Sequence, residues 1–95
     1  MSGHFAATPV ADAIRRKLVA RFAPIRLDII DESHRHAGHS GARPEGETHF
    51  VVTIVAAAFA GRSRVERQRL VYETLAEELK TRVHALSVTA KAPGE

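Results

Sequence analysis

The stretch T-H-F-V-V-T-I-V, residues 48–55, decides the fold. It is dominated by β-branched residues, which suit a pleated backbone. Val51 and Val55 fall on one side of such a strand, and Val52 and Ile54 on the other. A strand that is apolar on both faces reads as the central strand of its sheet.

Upstream, residues 31–50 read D-E-S-H-R-H-A-G-H-S-G-A-R-P-E-G-E-T-H-F, too rich in Gly and Pro for a regular element. Connections in compact domains run to roughly 4–6 residues, so one of this length points to function or disorder. Before it, Ile25, Leu27 and Ile29 alternate with Arg26 and Asp28, the period of a half-buried strand. Earlier still, Val10, Ile14, Leu18 and Phe22 recur every four residues on one helical face. Thr8-Pro9 provides a cap and a first-turn proline, and Pro24 ends the helix.

Downstream, Gly61 closes a turn, and Ser63-Arg64-Val65-Glu66 has the form of a capping box. A second helix is predicted from there to about Thr81, with Val71, Tyr72, Leu75 and Leu79 as its apolar stripe. His84 opens a third strand, in which Leu86, Val88 and Ala90 alternate with Ser87, Thr89 and Lys91. The order helix, strand, strand, helix, strand gives an antiparallel first pair and a parallel second pair joined by a helical crossover. The expected fold is α+β: a two-layer α-β-β-α-β sandwich, its three-stranded mixed sheet covered by helices on one face. Residues 8–92 form the expected domain, with flexible ends at 1–7 and 93–95.

Ninety-five residues suit one domain with a modest core. The absence of cysteine removes disulfides and thiolate ligands, and fits a reducing compartment such as the cytoplasm. The longest apolar run, Phe50 to Ala60, is too short to cross a bilayer, and no signal peptide is expected. A net charge of +3 permits nucleic-acid binding without requiring it.

Four of the six histidines lie in the long connection or at its end: His34, His36, His39 and His49. Neutral imidazole binds iron, zinc, copper and nickel. The clustered His34, His36 and His39 favour a metal role; His49, within the second strand, reads as structural. His84 stands apart, where a helix hands over to a strand. Two imidazoles alone do not close a metal site, since structural zinc takes four ligands and catalytic zinc three plus water. Either three or four histidines hold one metal, or two of them share a metal whose other ligands come from elsewhere. A metal-dependent hydrolase is disfavoured, because Glu32, Glu45 and Glu47 stand in no H-E-x-x-H spacing.

Four strings carry a family resemblance: L-D-I-I-D-E-S-H-R-H-A-G-H (27–39), G-E-T-H-F-V-V-T-I-V (46–55), F-A-G-R-S-R-V-E-R-Q-R-L-V-Y (59–72) and L-A-E-E-L-K-T-R-V-H-A-L-S-V (75–88). Together they resemble the BolA family, with spacing intact from the first helix to Pro93. The resemblance implies a fold similar to a type II KH domain and a non-enzymatic partner of monothiol glutaredoxins. It implies a bridging [2Fe-2S] cluster held by glutaredoxin and glutathione on one side, and on the other by His84 and one residue of the long connection, His36 or His39. The chain is then a monomer alone and a heterodimer with its partner, with no membrane attachment. One departure is visible: the family usually reads R-H-R where this chain has Arg67-Gln68-Arg69.

The alternative expectation is a DNA-binding regulator. Arg62, Arg64, Arg67 and Arg69 line the start of the second helix, where they could meet phosphates. Gly38-His39-Ser40-Gly41 also spells the GXXG string of KH domains. In those domains the string joins two helices, whereas here it lies between two strands.

Overall fold

The four-residue spacing of Val10, Ile14, Leu18 and Phe22 builds α1, Pro9–Phe22, and all four are buried. The computed structural model describes residues 9–32 and 49–95, so the expected cap Thr8 lies outside the described residues. The helix ends at Ala23, which adopts φ +46° and donates its N–H to Val19 O at 3.0 Å. Glycine is the usual residue there, because a Cβ in the left-handed region costs about 1–2 kcal/mol. Pro24 follows, and it cannot extend a helix.

Three strands form one sheet: β1, Arg26–Asp31; β2, His49–Val55; and β3, Ala85–Lys91. Their order is β1-β2-β3, so β2 is central, as its sequence predicts. β1 pairs antiparallel and β3 parallel to it, aligning Ile29 with Val52 and Val52 with Val88. This register gathers Ile29, Phe50, Val52, Ile54 and Val88 on one buried face, with Leu27, Leu86 and Ala90 packed against the same core. The helices cover that face. On the other face Val51, Thr53 and Val55 are only half-buried, so the two-sided apolar character of β2 does not mean two helical layers.

A short 3-10 turn, Ala57–Phe59, leads out of β2. It buries Phe59 completely, with its ring centroid 4.9 Å from that of Phe22. Gly61, at φ +75°, then turns the chain toward the next helix. That helix, α2, spans Arg64–Thr74, and its predicted capping box is present. Glu66 N–H donates to Ser63 Oγ at 3.1 Å, and Ser63 N–H donates to Glu66 Oε1 at 2.8 Å.

Three predicted boundaries need correction, the first being that His84 lies one residue before β3 and does not open it. Ile25 lies one residue before β1; its N–H donates to Val55 O at 2.8 Å, but its side chain is 72% exposed. The helix expected to run unbroken to Thr81 is two, α2 and α3, Ala76–Thr81, meeting at Leu75 with φ −105° and ψ 20°. Helical hydrogen bonds still cross the joint, from Leu75 N–H to Val71 O and from Leu79 N–H to Leu75 O. The kink keeps Leu75 in the core and brings Glu78 inward while Leu79 stays half-buried. Glu78 meets Lys17 of α1 there, with Nζ 2.7 Å from Oε2. No helix among the described residues is long and apolar enough to cross a membrane.

Candidate functional site

His84 is exposed on a backbone held from both sides. Before it, Arg82 and Val83 each donate an N–H to Glu78 O at 2.8 Å, closing α3, and Val83 is buried. After it, Ala85 enters β3, and Tyr72 of α2 donates its hydroxyl to Leu86 O at 2.9 Å. A side chain mounted between two such anchors keeps its place with little ordering left to be done on binding.

The parallel register supplies a second imidazole that sequence reasoning missed. Parallel strands start at the same end of a sheet, and here the first residue of β2, His49, aligns with Ala85. Its ring centroid lies 6.2 Å from that of His84, with the planes inclined by 33°. Nothing in the local pattern around His49 reports this; only the pairing of β2 with β3 does. Glu32 N–H donates to His49 O at 2.8 Å, so the chain between β1 and β2 departs and returns beside this pair. That segment carries His34, His36 and His39, and all three lie outside the described residues. Glu32, His49, Val51, Ala85 and Ser87 contribute to a shallow depression of about 210 Å3 next to the pair.

Among the described residues, no group of three or more histidine or carboxylate side chains is placed to hold a metal. The pair therefore offers two imidazole nitrogen donors and no thiolate, which is half a tetrahedral set. Such a half-site suits a centre completed by another molecule or by further histidines of the chain.

The arginines at the start of α2 divide into two kinds. Arg64 and Arg69 are exposed. Arg62 Nε donates to Ala58 O at 3.0 Å. Arg67 is braced by two carbonyls, Nε donating to Arg62 O at 3.0 Å and Nη1 to Ala90 O at 3.2 Å. Its fork also grips Glu95, at 2.5 Å from Nη1 to Oε1 and 2.8 Å from Nη2 to Oε2. Gln68, where the resembled family commonly has histidine, donates to Val88 O at 2.6 Å. Together with Tyr72, these side chains cover the outward carbonyls of the edge strand β3, a protection against unwanted strand pairing.

The Arg67 guanidinium, helped by the Ala92 N–H, lowers the Glu95 carboxyl from its ordinary 4.5 to about 2. A carboxylate depressed on folding adds stability above its unfolded pKa, and that stability is lost as acid protonates it. The wild type is thus expected to exceed Glu95→Gln in stability by a constant margin above pH 4.5. The margin should shrink as pH falls toward 2, which urea titrations at successive pH values would show. A margin independent of pH across that window would contradict the pairing.

With this geometry in hand, comparison with known proteins places the chain. A family model described as BolA-like protein matches residues 18–95. SufE-like protein 1, chloroplastic/mitochondrial, of Arabidopsis thaliana is 48% identical over 86 residues, covering 86% of this chain and 23% of that protein. The chain thus spans about a quarter of that relative's length. The DNA-binding transcriptional regulator BolA of Escherichia coli is 43% identical over 79 residues, covering 83% of this chain and 71% of the relative. Among solved structures, the BolA domain of SufE1 from Arabidopsis thaliana superposes with a TM-score of 0.83 at 45% identity, covering 93% of this chain and 96% of that one. The matched family model, the relatives and the shared α+β fold together make this chain a member of the BolA-like family.

Proposed function

We propose that this protein is a non-enzymatic partner of a monothiol glutaredoxin and shares with it and glutathione a bridging [2Fe-2S] cluster, in cluster trafficking or iron regulation. The observation that carries the reading is the exposed His84, fixed between a closed helix end and β3, with a second imidazole 6.2 Å away. Among the described residues the donor set is two nitrogens without a thiolate, which suits a cluster whose remaining ligands are supplied by a partner. His84 would be the anchoring ligand, and the second would come from His36, His39 or His49. When bound, the cluster supplies one-electron redox chemistry, at a potential raised by imidazole in place of thiolate. The chain's own part is to present imidazole nitrogens from a rigid edge of the sheet, and imidazole ligates a metal only in its neutral form.

Mixing the protein with a holo monothiol glutaredoxin and glutathione tests this. The expected result is a one-to-one complex on a sizing column with an altered visible spectrum. An unchanged spectrum with no complex would exclude the adaptor role. A second reading, a DNA-binding regulator, draws on the similarity to the DNA-binding transcriptional regulator of Escherichia coli and on the exposed Arg64 and Arg69. Phosphate contacts of that kind would appear as a steep loss of affinity with salt.

A further inference from the structure

At the far end of β3 from His84, a groove of about 410 Å3 runs between α2 and the strand, lined by Arg62, Arg64, Arg67, Gln68, Lys91 and Glu95, among others. Its centre is built. Two backbone carbonyls, Arg62 O and Ala90 O, hold the Arg67 guanidinium, whose side chain is only 13% exposed. The fork points at Glu95, and the Ala92 N–H adds a third donor to the same carboxylate at 3.0 Å. A guanidinium pre-oriented in this way binds planar or tetrahedral oxyanions through two parallel hydrogen bonds. The seated carboxylate is itself the evidence of what chemistry the slot accepts.

Charge separates a filled structural pair from an occupied site. Four cations line the groove against one carboxylate, so Glu95 neutralises Arg67 and leaves Arg62, Arg64 and Lys91 facing the same space. An anion that bears several charges satisfies this arrangement better than one carboxylate does. The occupant is lightly held: Glu95 follows Gly94, at φ +89°, and its side chain is 44% exposed. It can leave without disturbing the core.

We propose that the groove between α2 and β3 is a phosphate-binding site centred on Arg67, and that Glu95 is an internal stopper which an incoming phosphate group displaces. The phosphate oxygens take the place of the Glu95 carboxylate on the fork, while Arg62, Arg64 and Lys91 meet the remaining charge. The site is independent of the histidine end of the sheet, and it stands or falls without the cluster reading.

The test is titration calorimetry of the full chain with pyrophosphate, comparing the wild type with Glu95→Ala. A stopper seated about nine-tenths of the time lowers apparent affinity about tenfold, so Glu95→Ala should bind about tenfold more tightly. Adding Arg67→Lys to Glu95→Ala should remove the gain, since lysine keeps the charge but lacks the fork. A short single-stranded oligonucleotide forms a second arm. A gain with both ligands assigns the phosphate to a nucleic-acid strand, and a gain with pyrophosphate alone assigns it to a small phosphate compound; either upholds the site. No gain with either ligand, or a gain that survives Arg67→Lys, would overturn the proposal.

Discussion

Replacing His84 with alanine is expected to abolish the histidine-type visible spectrum of the cluster shared with a monothiol glutaredoxin, while the fold survives. His84 is exposed, so no core contact is lost, and the anchors that hold it, Val83 and β3, are unchanged. Loss of a ligand held by a rigid frame is hard to make good. The second ligand is different. His36→Ala, His39→Ala and His49→Ala are each expected to weaken the spectrum by unequal amounts, since the remaining imidazoles can substitute. Circular dichroism of each variant should match the wild type. A His84→Ala protein that keeps the spectrum while one of the other three loses it would move the anchoring role to that residue.

The second large effect belongs to the core. Phe59 is fully buried, and its ring stacks obliquely on Phe22 at 4.9 Å. Removing a buried phenylalanine side chain costs about 3–5 kcal/mol through lost transfer energy and the cavity left behind. A domain of this size has roughly 5–15 kcal/mol in total, so Phe59→Ala should bring it near the edge of folding. Each kcal/mol lowers Tm by about 4–8 °C at this length, and a fall of roughly 15 °C or more is expected. Val19→Ala, at a side chain 49% exposed, is the control and should stay within about 0.5 kcal/mol of the wild type. If the two variants melted together, the 3-10 turn at Ala57–Phe59 would not be the clamp between α1 and the sheet that its burial indicates.

What the sequence makes legible is what local spacing encodes. The β-branched run of β2 reports a central strand, the four-residue spacing of α1 reports one buried face, and the capping box marks the start of α2 one residue after Ser63. What it hides depends on pairing across the chain. His49 looks like an ordinary strand residue until the parallel register sets it beside Ala85 and thus close to His84. Arg67 looks like one more basic residue at a helix start, yet it is committed to Glu95, 28 positions away. The kink at Leu75 is likewise invisible to periodicity, because Val71, Leu75 and Leu79 keep a helical spacing straight through it. The same holds for Ala23, whose left-handed backbone a glycine would have announced.

Imidazole nitrogen from this chain is proposed to ligate a cluster shared with glutaredoxin. Pulsed EPR on the reduced one-to-one complex, prepared with the chain carrying 15N-labelled histidine, addresses it most directly. Strongly coupled nitrogen from two histidines is expected, with one coupling lost in His84→Ala. A complex whose iron shows no coupling to labelled histidine would contradict it.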